Sequence, residues 1–200
     1  MTQQPHRERP RARSAVADLA KTAIQALLLF VILSALIGRF EIHQISMEPS
    51  FHEGQRVLVS KLDSIWSSLF VRTAHAADSR RNSPFAFQHG QVVVFFKTPA
   101  RDGDALIKRV IGLPGDTVEL RDGAVVINGA QISEPYVTGA QTSCGNYCQP
   151  VALGPDEYFL MGDNRVNSLD SRSFGPIPAG QIVGRVVLRY WPLEQIEAYP

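Results

Sequence analysis

Histidine, cysteine and lysine are all scarce in this 200-residue chain, and each scarcity removes some chemistry. The five histidines, His6, His43, His52, His75 and His89, contain no HExxH pair and no ladder of ligand spacing, which disfavours a metallohydrolase. The two cysteines, Cys144 and Cys148 in "SCGNYC", have no histidine nearby and fall short of the four ligands a structural zinc ion needs. No metal and no cofactor is therefore expected. The chain also lacks a GxSxG elbow and a Walker-type glycine loop. Its formal charge of +1, with no lysine-rich stripe interleaved with aromatics, argues against a nucleic-acid partner.

Long apolar runs are equally few. The one present, Thr22 to Gly38 (TAIQALLLFVILSALIG), follows Arg7, Arg9, Arg11, Arg13 and Lys21 and is closed by Arg39. About 17 residues at 1.5 Å each is the lower edge of a membrane span, and the flanking Lys21 and Arg39 can snorkel to lengthen it. Basic residues in front predict a cytoplasmic N-terminus and an exported remainder. A cleaved secretory signal is the alternative, but no small-x-small site with a polar exit follows the run, which favours an uncleaved anchor. The expected organisation is a disordered basic tail over residues 1–17, a transmembrane anchor in the lipid bilayer over 18–39, and an exported domain over 40–200. On the exported, oxidising side, a disulfide between Cys144 and Cys148 is expected over free thiols.

Beyond the anchor no sustained helical period occurs. "QRVLVSKL", "GQVVVFFK", "LIKRVIGL", "DTVEL", "AVVING", "EYFLMG" and "QIVGRVVLRYW" are short Val/Ile/Phe/Tyr-rich runs bounded by turn residues, which predicts a mainly β domain of antiparallel sheets. Asp122-Gly123 and Asn128-Gly129 are hairpin-turn dipeptides. Two stretches break the rhythm and read as variable loops, about 63–89 and 138–150.

With metals and the common nucleophile elbow disfavoured, a serine activated by a neutral base remains. His43 and His52 lie too near Ser46 in sequence to be obvious partners, although folding can still bring in His89. Lysine is the other candidate. The chain has only Lys21, Lys61, Lys97 and Lys108, whereas arginine, which stays protonated and cannot act as a base, is used freely. By strand alternation Lys108 shares a face with Leu106 and Val110, a pattern that buries an ammonium group and lowers its pKa. An edge-strand lysine that prevents sheet aggregation fits the same pattern.

Four motifs, "SMEPSF", "QRVLVSK", "LIKRVIGLPGDTVEL" and "MGDNRVNSLDSRSFG", follow one another behind a single N-terminal anchor. In this order they resemble the successive boxes of type I signal peptidases, or leader peptidases, over roughly residues 42–192. The resemblance implies a signal-peptidase-like β-domain and a membrane-bound serine endopeptidase with Ser46 as nucleophile and Lys108 as general base. It implies an acyl-enzyme intermediate and cleavage after small-x-small residues of exported precursors. By the same resemblance Ser168 positions the lysine amine, Asp170 pairs with Arg172, Asp163 pairs with Arg109, and Gly162 leaves room beside the lysine. Met47 and Ile45 would border the substrate cleft. The implied setting is a bacterial plasma membrane, with the chain acting as a monomer.

The chain departs from the family pattern in two places. Gln44-Ile45 stand where Ser-Gly commonly precede the nucleophile. The serine hydroxyl there usually joins the nucleophile's N–H in the oxyanion hole, a role that would fall to Gln44 beside Ser46. Val166 stands where an aspartate usually follows "GDNR". Two further functions are open: a dedicated maturation peptidase for one pilin-like or conjugation substrate, or an inactive membrane-tethered binding domain. The small-x-small sequence "TAHAAD" in the first variable loop is a candidate self-cleavage site between Ala76 and Ala77.

Overall fold

The computed structural model describes residues 11–62, 86–139 and 141–199. Helix α1 spans Arg11–Leu36, and its apolar stretch Val16–Leu36, 21 residues with none of it buried, is long enough to cross a membrane. The helix is displaced towards the N-terminus from the expected limits 18–39. Residues 11–17, expected to belong to a disordered tail, are helical, because their Arg and Ala are good helix formers that run into the apolar segment without a breaker. At the other end, Gly38 and Arg39 are part of strand β1 (Ile37–Glu41), whose pairing partners lie in strand β2 (Arg56–Ser60). Cross-strand pairing with a distant segment overrides local helical preference there.

The rest of the described chain is antiparallel β-structure. The predicted runs form β2, β3 (Val92–Phe95), β4 (Leu106–Gly112), β5 (Thr117–Arg121), β6 (Ala124–Ile127), β9 (Glu157–Met161) and β11 (Ile182–Trp191). Four two-residue strands were not foreseen: β7 (Ala130–Gln131), β8 (Val151–Ala152), β10 (Ile177–Pro178) and β12 (Glu197–Ala198). They are too short to carry an alternation signal.

An eight-stranded sheet has the order β1-β2-β11-β3-β4-β9-β10, with β12 on β11, and a four-stranded sheet has the order β7-β6-β5-β8. Asp122-Gly123 and Asn128-Gly129 turn β5 into β6 and β6 into β7, all four residues at positive φ as primed hairpin turns require. Three apolar clusters form the interior. One gathers Ile42, Met47, Phe51, Val57, Val94 and Ile107 around the segment that carries Ser46.

The candidate self-cleavage bond Ala76-Ala77 and most of the first variable loop lie outside the described residues. In the second loop Cys144 and Cys148 are joined as a disulfide. That loop braces a short helix α2 (Ser171–Phe174): Asn146 N donates to the Arg172 carbonyl at 2.8 Å and Asn146 Nδ2 to that of Ser173 at 3.0 Å.

Candidate active site

Ser46 sits in a 3-10 turn, Ile45–Met47, just beyond the end of β1. Successive side chains in such a turn point about 120° apart. Ile45 therefore faces solvent, Ser46 faces β4, and Met47 enters the core with no exposed surface. Glu48, ahead of Pro49, is extended as expected, with φ −65° and ψ 143°.

From β4 the side chain of Lys108, 1% exposed, reaches this turn. Its Nζ donates to Ser46 Oγ at 2.6 Å and to the Ile107 carbonyl at 2.9 Å. The lysine points into the interior instead of solvent, so it is no aggregation guard. Burial lowers the amine's pKa from 10.5 to about 8, against the pull of Asp170 and then Asp163, which favour the charged form. None of the weighed histidines takes this place: His89 Nε2 is 2.7 Å from Asp116 Oδ2, His52 Nδ1 is 3.3 Å from Glu48 Oε1, and His43 lines the cleft described below.

Around the pair stand the expected ion pairs. Arg109 meets Asp163 through Nε–Oδ1 at 2.8 Å and Nη2–Oδ2 at 2.6 Å. Arg172 meets Asp170 through Nε–Oδ1 at 2.9 Å and Nη2–Oδ2 at 2.8 Å. Asp170 also caps α2 through Arg172 N and accepts from Gly162 N at 3.0 Å. Burial alone would raise its carboxyl pKa, but the hydrogen bonds and charge of Arg172, with the Gly162 amide, hold it below the usual carboxylate range.

Ser168 and Gly162 differ in detail from the expectation. The Ser168 hydroxyl is buried and, among the described residues, makes no aligned hydrogen bond, to Lys108 or to another group. It lies near enough to Asp170 to help keep that carboxylate ionised, a contact without bond geometry. Gly162 leaves room for Ser168 and for the Ser46 backbone: a Cβ there would fall 2.2 Å from Ser168 Oγ and 2.4 Å from the Ser46 carbonyl oxygen. Gly162→Ala must move a backbone atom of Ser46. We expect kcat to fall at least about 100-fold, the scale on which misplacement of about 1 Å acts, with a smaller change in KM; steady-state kinetics on the purified variant check this.

A cleft of about 450 Å³ opens beside the pair, lined among others by Phe40, Ile42, Gln44, Val94, Leu106 and Ile107. Met47 and Ile45, expected at its border, do not line it, because the turn directs one inward and the other outward. Among the described residues, two strand edges are open at this point. β1 is the terminal strand of its sheet, and Leu106–Lys108 pair with β3 on one side while β9 reaches only Arg109, Val110 and Gly112 on the other. An extended peptide can add to such edges by main-chain hydrogen bonds.

Several supporting residues carried no distinctive sequence signal. Arg165 is buried and pairs with Glu134 while also donating to Thr142 Oγ1 at 2.6 Å. Tyr136 lies under the Arg109 guanidinium, 4.0 Å from its ring centroid. Asn164 donates from its backbone N to the Ser46 carbonyl at 3.1 Å and from Nδ2 to the Ile45 carbonyl at 3.3 Å. Arg165 and Asn164 belong to the "GDNR" motif, but Glu134, Thr142 and Tyr136 come from a distant segment.

Comparison with known proteins gives the class as serine peptidase. Residues 16–191 match the family described as "Signal peptidase, peptidase S26", and the chain belongs to that family. It is 32% identical to "Signal peptidase I" of Bacillus amyloliquefaciens over 199 residues, 95% of this chain and 96% of that one. It is 34% identical to "Signal peptidase I V" of Bacillus subtilis (strain 168) over 172 residues, 80% of this chain and 90% of that one. A solved signal peptidase I from Enterococcus faecalis V583 is 34% identical and covers 50% of this chain and 95% of its own, with a TM-score of 0.41.

Proposed function

We propose that this chain removes signal peptides from exported precursor proteins, with Ser46 as nucleophile and Lys108 as general base. The observation that carries the reading is the 2.6 Å contact between Lys108 Nζ and Ser46 Oγ in a pocket dry enough to bring the amine down to about 8. The neutral amine takes the Ser46 hydroxyl proton as the oxygen bonds to the scissile carbonyl carbon. Negative charge then gathers on the carbonyl oxygen, where the Ser46 N–H and the Gln44 side-chain amide are the donors. Collapse breaks the C–N bond, the lysine ammonium protonates the leaving amine, and an ester to Ser46 remains. Water, deprotonated by the same amine, hydrolyses that ester and restores both groups.

The cleft supports an extended substrate held between β1 and the open edge of β4. Ile42, Val57, Val94 and Ile107 give it an apolar floor, and Arg39, Glu41, His43 and Asp104 stand at the same cleft; cleavage after small-x-small residues follows from the family. Basic residues ahead of the apolar helix support a cytoplasmic N-terminus, and the disulfide supports a catalytic unit on the oxidising side. The close Ser46–Lys108 contact speaks against an inactive binding domain.

The test is cleavage of a signal-peptide-bearing precursor by the detergent-solubilised protein. A new N-terminus one residue past a small-x-small sequence is expected. The rate rises with pH through about 8, because only the neutral amine accepts a proton. An uncut precursor, or a rate already maximal near pH 5, refutes the reading.

A further inference from the structure

Ser46 has two flanks. On one, Gln44 and the residues before it line the cleft. On the other, the adjacent Ile45 stays outside the cleft and is 47% exposed. The loop joining β9 to α2 is bonded to this second flank through the two Asn164 hydrogen bonds to the Ile45 and Ser46 carbonyls. A tight turn follows, in which Asn167 N donates to the Asn164 carbonyl and to Asn164 Oδ1, each at 3.2 Å. Val166 occupies the tip of that turn and is 73% exposed; Leu169, just beyond Ser168, is 61% exposed.

One exposed apolar side chain is ordinary. Here three, Ile45, Val166 and Leu169, are carried by two segments that are hydrogen-bonded to each other beside Ser46. Ile45 and Val166 are also positions at which the chain departs from the family pattern, and both departures put a branched apolar side chain where the pattern has glycine or aspartate. The second change also removes a negative charge from the flank.

The chemistry of acyl transfer assigns the flank. The acyl portion of the substrate fills the cleft that Gln44 lines, and the leaving amine must depart across Ser46 on the opposite side. We infer that Ile45, Val166 and Leu169 form a specificity-determining lip that contacts the first residues after the scissile bond, favouring precursors whose mature chain begins with apolar residues over those that begin with acidic ones. The inference rests on the proposed function and refines it. A partly exposed apolar contact of about one side chain corresponds to roughly tenfold discrimination.

The experiment uses one precursor series, identical through the cleavage site and carrying Leu-Phe, Ser-Ser or Asp-Asp as the first two residues of the mature part. The wild-type chain should cleave the Leu-Phe member with kcat/KM about tenfold above the Asp-Asp member. In the double variant Ile45→Gly, Val166→Asp that ratio should drop to about two or below. Equal rates from the wild type, or an unchanged ratio in the variant, would overturn the inference. It would equally fall if the double variant lost liposome binding while keeping the ratio, since the lip would then face lipid. Failure to cleave any member strikes the proposed function itself, whereas cleavage of all three at one rate strikes only the lip.

Discussion

Lys108→Arg abolishes precursor cleavage, with kcat lowered about 10⁴-fold or more, and Ser46→Ala does the same. The arginine keeps positive charge and a hydrogen-bond donor near Ser46, so a purely electrostatic role for Lys108 would leave part of the activity. A guanidinium cannot shed its proton at accessible pH, and a base is what the reaction needs. Cleavage assays on the two variants, with folding checked by circular dichroism, decide the matter; substantial turnover by the arginine variant would exclude a lysine base.

The same amine is a burden on the fold. Its pKa falls from 10.5 to about 8 on burial, which corresponds to about 3 kcal/mol for keeping the native amine protonated. Below about pH 8 native and unfolded forms are both protonated and the full cost is felt. Between about 8 and 10.5 the native form loses its proton first, so stability rises with pH. Lys108→Met removes this cost but also the bonds to Ser46 Oγ and the Ile107 carbonyl, worth about 1 kcal/mol each. The methionine variant should therefore be about 1 kcal/mol more stable than the parent at pH 7, and the gap should close and reverse as pH rises from about 8 towards 10.5. Denaturant unfolding at several pH values measures this. A variant less stable than the parent at pH 7 would show that the pocket favours the charged amine.

Asp170→Asn produces two effects of opposite character. It dismantles the buried pair with Arg172, weakens the acceptor for Gly162 N, and leaves a guanidinium 4% exposed at the residue level without its partner. Breaking a buried pair from one side costs about 3–5 kcal/mol. Because the Asp170 charge also favours the protonated form of Lys108, its removal lowers the lysine pKa further. The alkaline rise in rate should then shift to lower pH in the surviving folded fraction. A merely structural role would lower stability and leave the pH profile in place. The wild-type aspartate has its own dependence: its native pKa is depressed, so its stabilisation is present above the ordinary carboxylate range and is lost as pH falls through the depressed value.

The strands were legible because their signal is local. Each of "QRVLVSKL", "GQVVVFFK" and "LIKRVIGL" carries β-branched residues and turn boundaries within a few positions. The two hairpins were legible because Asn-Gly and Asp-Gly supply positive φ wherever they occur. The ends of the apolar helix were less so, since residues 37–39 exchange helix for strand through partners about 20 positions away in β2. Ser46 and Lys108 came from chemical elimination and from a resemblance in four ordered motifs, and composition or periodicity alone left the lysine's role undecided.

By itself the sequence determined the inventory: one apolar segment, a run of short strands, a serine just past the apolar segment, and one lysine set among apolar strand residues. Tertiary structure decided which of these meet. Only folding sets a 3-10 turn against β4, turning Met47 inward, Ile45 outward and Ser46 to within 2.6 Å of an amine 62 residues further along the chain. The physical reason is that a pKa depends on solvent exclusion and on charges brought near through space, neither of which can be counted along the chain.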